Sequence, residues 1–220
     1  MRHRPDEREV AIPLDGEEHR GDLGLPSRPC GLVLFAHGSG SSRLSARNRF
    51  VATALRREGL ATLLFDLLTE DEDRVYETRF DIGLLTRRLL GATDWVRGES
   101  TLRGLALGYF GASTGAAAAI EAAAALGPGV RAVVSRGGRP DLALESLPRV
   151  TAPTLLIVGG RDDVVIGMNE QAYARLRGVK ELKIVPGATH LFEEPGALEE
   201  VARLAGRWFT RHLGVQPPAP

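Results

Sequence analysis

A serine between two glycines gives the first indication of chemistry in this sequence. Residues Gly111–Gly115 read GASTG, a G-x-S-x-G pattern, and they stand between an apolar segment and an alanine-rich segment. At a strand–turn–helix junction this pattern forms a strained turn that presents the serine at the positive end of the following helix. We therefore predict that Ser113 is a nucleophile. The alternative is a tight turn in which Ser113 only caps the helix.

A serine hydroxyl is a poor nucleophile unless a base accepts its proton. Among the histidines, only His190 lies beyond Ser113 in the chain and between the last predicted strand and the closing helix, so we predict that it is the general base. A carboxylate must orient its ring. Asp162 and Asp163 both follow a Gly-Gly turn after an earlier predicted strand. We favour Asp162, which comes first after the turn, and leave Asp163 open.

A second glycine-containing turn, His37–Gly40 (HGSG), follows the first buried apolar segment. Acyl transfer needs hydrogen-bond donors that face the developing oxyanion, and such a turn exposes backbone N–H groups. We assign one donor to the N–H of Ser39 and the other to the N–H of Thr114. The alternative is phosphate binding, although the glycine spacing matches neither common phosphate-binding motif. His37 itself is expected to shape the loop.

Alternating apolar and helical segments must position these residues. Residues 10–14 and 19–25, separated by an Asp-Gly pair, predict an antiparallel hairpin, and residues 69–73 predict an acidic loop. The strands predicted after the hairpin cover 31–36, 60–65, 105–110, 130–135, 153–158 and 181–185. The predicted helices cover 45–58, 81–96, 113–126, 167–176 and 197–213.

This alternation predicts an α/β fold with a mainly parallel central sheet of about eight strands and helices on both faces. Ligands of such sheets bind at the carboxyl ends of the strands, where all the candidate residues fall. We predict a single domain over residues 10–213, a flexible lead over 1–9 and a flexible tail over 214–220.

Composition excludes several classes of function. Lys plus Arg and Asp plus Glu both total 28, so the net charge is zero and gives no basic excess for nucleic acid or an anionic membrane. Cys30 is the only cysteine, which excludes an intrachain disulfide, and it is expected to be a small core residue. No leader or membrane-spanning segment is apparent. We expect a cytoplasmic protein with no metal and no organic cofactor.

The order Ser113, Asp162, His190, with the HGSG turn ahead of them, resembles the α/β-hydrolase superfamily over about residues 10–213. The compact size and the leading hairpin are most similar to the dienelactone-hydrolase-like group. The resemblance implies the α/β-hydrolase fold and a nucleophile, acid and base at these positions. One departure is that dienelactone hydrolases carry a cysteine in this turn. Ser113 suits the hydrolysis of general carboxylic esters better.

Members of this superfamily that have a lid insert a cap domain where this chain has only residues 136–152. We therefore expect no cap domain, an open site and a small soluble substrate. Several arginines follow strand ends, namely Arg43, Arg47, Arg49, Arg136 and Arg139. We name Arg43 and Arg136 as candidates that bind a substrate carboxylate, because a guanidinium can donate two hydrogen bonds to it. The alternative for each is a solvated arginine.

These inferences predict a serine hydrolase that cleaves small soluble carboxylic esters, lactones or thioesters through an acyl-enzyme. Its expected partner is a small-molecule substrate, and a homodimer is left open. One alternative is a non-catalytic binding module with the same fold. A second is a cofactor-free perhydrolase that uses the same three side chains.

Overall fold

A computed structural model describes residues 6–214 of the chain. Its eight strands are β1 (Asp6–Leu14), β2 (Glu17–Leu25), β3 (Gly31–Ala36), β4 (Leu60–Phe65), β5 (Leu107–Ala112), β6 (Ala132–Arg136), β7 (Thr154–Gly159) and β8 (Lys180–Val185). Its six α-helices are α1 (Ala46–Arg57), α2 (Glu70–Arg74), α3 (Ile82–Gly98), α4 (Thr114–Leu126), α5 (Asp163–Arg175) and α6 (Ala197–Leu213).

All eight strands form one sheet in the order β1-β2-β4-β3-β5-β6-β7-β8. The hairpin strand β2 pairs antiparallel with β1 and with β4, and every other pairing is parallel. The register places Ala36 beside Gly111, and Ala112 beside Arg136. The carboxyl end of β5 therefore lies between those of β3 and β6, and the loops that follow these three strands meet at one edge of the sheet.

Helices cover both faces of this sheet. Helices α1 and α6 pack against one face, around Val51, Leu55, Val201 and Phe209. Helices α3, α4 and α5 pack against the other. The central strands β3, β4, β5 and β7 are buried along their whole length. Because they face apolar neighbours on both sides, they are continuous apolar runs rather than alternating ones.

Local signals fix where two of the helices begin. The Ser45 side chain accepts the N–H of Asn48 at the start of α1, and Asp81 accepts the N–H of Leu84 at the start of α3. Both are N-caps that satisfy backbone donors left free in the first turn. The helix predicted from residue 81 therefore begins at the N-cap Asp81.

The structure corrects several predicted boundaries. Residues 69–73 were expected to be a loop, but Thr69 and Glu72 form a reciprocal capping box that starts the short helix α2. Strand β5 lies two residues later than predicted, and α5 begins at Asp163 rather than at residue 167. The flexible lead predicted over 1–9 is wrong for residues 6–9, because β1 pairs with β2 as far as Leu25. Residues 1–5, and 215–220 of the predicted tail, lie outside the described residues.

The connection between β6 and β7 contains only two short 3₁₀ turns, Pro140–Ala143 and Leu147–Arg149. No cap domain stands over the carboxyl edge of the sheet here, as predicted. From residue 6 to residue 214, none of the helices has the length and apolarity that crossing a bilayer requires.

Candidate active site

Ser113 occupies a strained turn between β5 and α4. Its φ is 51° and its ψ is −122°, a region that residues with a Cβ rarely adopt. The flanking glycines make the turn feasible. A Cβ on Gly111 would collide with the Cα of Ala116, and one on Gly115 would collide with the carbonyl oxygen of Ala36. The backbone thus packs so closely around Gly111 and Gly115 that only glycine fits on either side of Ser113 and Thr114.

His190 and Asp162 form a hydrogen-bonded pair. The distance between Nδ1 of His190 and Oδ2 of Asp162 is 2.7 Å. An ionised carboxylate can only accept, so the proton lies on Nδ1 and Nε2 is left as a proton acceptor. The neighbouring Asp163 is the exposed first residue of α5. Of the two aspartates that the sequence left open, Asp162 is the one that contacts the imidazole.

Backbone contacts join the loop that carries Asp162 to the loop that carries His190. The N–H of Gly160 donates to the carbonyl of Val185 at 2.8 Å, and that of Arg161 donates to Ala188 at 2.9 Å. A Cβ on Gly159 would come within 2.5 Å of the carbonyl oxygens of Ala188 and Thr189. Only glycine permits this close approach, which explains why a Gly-Gly pair precedes the acid.

Two further contacts link the loop that carries His190 to the Ser113 turn. The N–H of Ser113 donates to the carbonyl of Arg136 at 3.3 Å. The next residue, Gly137, lies against the His190 ring, because a Cβ there would be 3.4 Å from Nδ1 and from Cε1. The end of β6 thus touches Ser113 on one side and His190 on the other.

The HGSG turn also reaches Ser113. A Cβ on Gly38 would lie 2.9 Å from the Cβ of Ser113 and 3.7 Å from its Oγ. Within residues 6–214, neither the N–H of Ser39 nor that of Thr114 donates a hydrogen bond to a protein acceptor. Thr114 is the first residue of α4, where the helix dipole adds positive potential. Two unpaired donors therefore lie in the turns that adjoin the serine hydroxyl.

The two arginine candidates have different environments. Arg43 lines a cavity of about 530 Å³ beside the HGSG turn, but its guanidinium is held by Asp22 at 2.8 Å, Glu9 at 3.0 Å and Asp66 at 3.2 Å. These carboxylates occupy the donors that a substrate would need. The structure therefore gives no support to the prediction that Arg43 binds substrate.

Arg136 is a buried cation without a carboxylate. It is 7% exposed, donates to Oδ1 of Asn48 at 3.1 Å and lies 5.9 Å from the ring centroid of Phe192. Burial, with the nearby charge of Arg47 as a smaller cause, lowers its pKa to about 10. Arg47 itself is engaged by Glu193 at 3.0 Å. Of the buried arginines in residues 6–214, Arg56 and Arg88 each have a carboxylate within 3.3 Å, and Arg136 has none.

Three residues that support the histidine loop were not found from the sequence. Phe192 is buried with a φ of 57°, and Glu194 accepts the N–H of Thr189 at 3.0 Å. Hydrogen bonding with the Thr189 side chain, and secondly with this backbone N–H, lowers the pKa of Glu194. The third, Gly137, stands in a Gly-Gly pair directly after β6, and this pair was a signal that could have been used. No sequence signal marks the positive φ of Phe192.

The eight-stranded sheet with a serine turn after its central strand defines an α/β-hydrolase fold. The sequence model of the dienelactone hydrolase family matches residues 50–213. The chain belongs to the dienelactone hydrolase family.

Solved structures agree with this membership. A crystal structure of dienelactone hydrolase from Anabaena variabilis ATCC 29413 is 55% identical, with a TM-score of 0.94, and the match covers 96% of this chain and all of that one. Est1E from Butyrivibrio proteoclasticus is 16% identical with a TM-score of 0.78, over 93% of this chain and 98% of that one. At that identity the second likeness shows the fold alone.

A curated relative from Mycobacterium tuberculosis H37Rv is 60% identical over 193 residues and carries the name "Putative phosphoribosyl transferase". The match covers 88% of this chain and 44% of that protein. This chain therefore spans less than half the length of the curated relative, and the name describes a protein more than twice the length of the matched part.

Proposed function

We propose that this protein is a serine hydrolase that cleaves small carboxylic esters, lactones or thioesters through an acyl-enzyme. The observation that carries the proposal is the strained Ser113 turn, which adjoins the HGSG turn, together with the His190–Asp162 pair, whose imidazole lies against Gly137 at the end of β6. Family membership supports hydrolase chemistry in general. The serine and the acyl-enzyme are the finer parts of the proposal.

In the proposed reaction, the Oγ of Ser113 attacks the carbonyl carbon while Nε2 of His190 takes the hydroxyl proton. The tetrahedral intermediate collapses to the acyl-enzyme, and His190 returns the proton to the leaving alcohol or thiol. Water then repeats the sequence and regenerates Ser113. Asp162 keeps the imidazole in the Nδ1-protonated tautomer and stabilises the imidazolium that forms in each half-reaction.

The N–H groups of Ser39 and Thr114 are the proposed oxyanion donors. Both lack an acceptor within the described residues, and both belong to turns that adjoin Ser113. Donors that are fixed before the reaction stabilise the developing charge without reorganisation, and one such donor contributes about 10²–10³-fold to turnover.

The short connection between β6 and β7 supports a small substrate. Two 3₁₀ turns replace a lid at this edge, so little apolar surface is available to cover a long acyl chain. Arg136 is the group that we propose to bind an anionic substituent, because no carboxylate of the described residues neutralises it. Phosphoribosyl transfer is not part of the proposal, because that name belongs to a protein of which this chain matches less than half.

The test compares wild-type protein with Ser113→Ala, using p-nitrophenyl acetate and a fluorophosphonate probe. We expect turnover to fall by at least about 10³-fold in the variant, and the probe to label only the wild type, at Ser113. Ser100→Ala is the matched control, because Ser100 is exposed in the connection that precedes β5, and it should leave both signals unchanged.

Turnover in Ser113→Ala equal to that of the wild type would contradict the proposal. A folded wild type that neither turns over esters nor reacts with the probe would favour the non-catalytic binding module. Peracid formation that exceeds hydrolysis in the presence of hydrogen peroxide would favour the perhydrolase.

A further inference from the structure

The side chain of His37 joins the turn after β3 to the turn after β4. It is 5% exposed, and its Nε2 lies 3.0 Å from the backbone nitrogen of Leu67 while its Nδ1 lies 3.0 Å from the carbonyl oxygen of Gly38. A backbone N–H can only donate, so Nε2 of His37 must accept. The ring proton is then on Nδ1 and is donated to Gly38.

The carbonyl of Gly38 therefore has two donors. It accepts from Nδ1 of His37 and, at 3.2 Å, from the N–H of Ser41, which closes the turn. In a planar trans peptide the C=O and the N–H of the next residue point in opposite directions. Two donors that hold the Gly38 oxygen on one side therefore fix the N–H of Ser39 on the other side.

Gly38 is also the residue of this turn that touches the nucleophile, since a Cβ on it would lie 2.9 Å from the Cβ of Ser113. The N–H of the next residue, Ser39, donates no hydrogen bond to any acceptor between residues 6 and 214. The Ser39 N–H is therefore fixed in direction, lies beside the serine and is free to donate a hydrogen bond to a bound substrate.

We propose that His37 is a positioning residue for the oxyanion: its Nδ1–H holds the Gly38–Ser39 peptide so that the Ser39 N–H faces the charge that develops on the substrate carbonyl. The inference rests on the proposed serine hydrolase function. It assigns to a histidine outside the Ser113–His190–Asp162 set an effect on turnover that acts entirely through the backbone.

The burial of His37 is consistent with this role. Desolvation lowers the pKa of His37, and this effect exceeds the opposing influence of the Gly38 carbonyl and of the carboxylates of Asp66 and Asp73. A charged ring would place a proton on Nε2, facing the N–H of Leu67. The neutral tautomer is the form that satisfies both of the hydrogen bonds in the structure.

Two variants separate the two hydrogen bonds. In His37→Asn the side-chain amide can still donate to Gly38 from the δ position, and the Leu67 contact is lost. In His37→Gln the amide oxygen can still accept from Leu67 at the ε position, and the donor to Gly38 is lost. The pair thus removes one bond at a time from the same buried site, with thermal unfolding recorded for each protein.

We expect His37→Gln to lower kcat for p-nitrophenyl acetate by about 10-fold or more with KM nearly unchanged, because a misdirected donor weakens transition-state binding alone. His37→Asn should keep most of the wild-type kcat. The affinity of an alkyl boronic acid, which forms a tetrahedral anion on a serine, should fall in parallel with kcat. A purely structural role would instead lower stability and activity together in both variants.

A wild-type kcat in folded His37→Gln, or an equal loss in His37→Asn, would overturn the inference. Should either variant fail to fold, ¹⁵N NMR of the wild-type imidazole decides the point, since an Nε2-protonated or charged His37 contradicts it. The proposed function fails separately, when Ser113→Ala retains turnover. Loss of turnover in Ser113→Ala together with an unaffected His37→Gln removes only the inference.

Discussion

Replacing Arg136 with methionine tests whether a buried charge is kept at the expense of stability. The guanidinium is 7% exposed and has Asn48 and the Phe192 ring as its partners. Methionine has a similar length and no charge. We expect Arg136→Met to be at least as stable as the wild type, and to lose activity selectively towards anionic esters.

The magnitude follows from the pKa and the contacts. Burial lowers the pKa of Arg136 to about 10, a shift that disfavours the charged form in the folded state by about 3 kcal/mol. Because the folded-state pKa is the lower one, this destabilisation is fully present below pH 10 and disappears as the pH rises past the ordinary pKa of a guanidinium. The substitution also loses the Asn48 hydrogen bond, at about 1 kcal/mol, and the ring contact, at about 0.5–1 kcal/mol. We therefore expect a net stabilisation of about 1 kcal/mol.

Arg88→Met is the matched control. Arg88 is also buried, at 4% exposure, but it has carboxylate partners, Glu72 at 2.7 Å and Asp15 at 3.3 Å. This variant loses the buried guanidinium's hydrogen bonds to Glu72 and to the Leu14 carbonyl, so it should be destabilised by about 1.5–3 kcal/mol. Urea unfolding at neutral pH measures both changes, and opposite signs for the two arginines are the expected result.

The kinetic part compares p-nitrophenyl acetate with mono-p-nitrophenyl succinate, which carries a carboxylate. In Arg136→Met, kcat/KM for the acetate should stay within about twofold, while that for the succinate should fall about 10-fold or more, as the loss of a charge-assisted hydrogen bond predicts. A variant destabilised by more than about 1 kcal/mol, or equally impaired towards both esters, would refute the reasoning. Arg136 would then be a structural clamp on the loop that contains Phe192.

Two further predictions concern the nucleophile turn and the acid. Asp162→Asn should lower kcat by about 10²–10⁴-fold with little change in unfolding, because the carboxyl contacts the ring edge of His190; initial rates that fall less than about fivefold would argue that it has no orienting role. Gly115→Ala should destabilise by at least about 2 kcal/mol, because its Cβ would collide with the Ala36 carbonyl, whereas Gly167→Ala, with open space around its Cβ, should stabilise α5 by about 0.5–1 kcal/mol. Equal midpoints in urea for the two glycine variants would contradict this account.

Much of the site could be predicted because its signals are local. The GASTG motif specifies a strained turn through its own glycines, and its place after an apolar run fixes the edge of the sheet at which Ser113 stands. The order of Asp162 and His190 behind it follows from the strand–helix alternation. The fold class was predictable for the same reason, since the buried parallel strands of this sheet are continuous apolar runs.

Whether a carboxylate pairs with each arginine could not be predicted, because the pairing depends on residues that are distant in sequence. Arg43 is neutralised by Glu9 and Asp22, which stand on the two strands of the edge hairpin. The acids of the loop near Arg136 contact other groups, since Glu193 pairs with Arg47 and Glu194 accepts from Thr189. In the sequence alone, Arg43 and Arg136 look alike, because each is an arginine that follows a predicted strand. The strand status of residues 6–9 was missed for a similar reason: their charged side chains resemble a solvated tail, and pairing with β2 decides otherwise.

Two of the three carboxylates around Arg43, Glu9 and Asp22, belong to the edge hairpin, so the hairpin also contacts the segment after the HGSG turn. An edge strand exposes backbone groups that can pair with other chains, and charged residues on the strand oppose such pairing; β1 carries four charged residues at its start, Asp6 to Glu9. Through Glu9 and Asp22 the hairpin also holds Arg43, which lies just beyond the HGSG turn. Under the proposed function, substitutions at Glu9 and Asp22 would therefore alter the segment that follows the HGSG turn as well as the edge of the sheet. Such variants should be assayed for ester hydrolysis as well as for expression and melting.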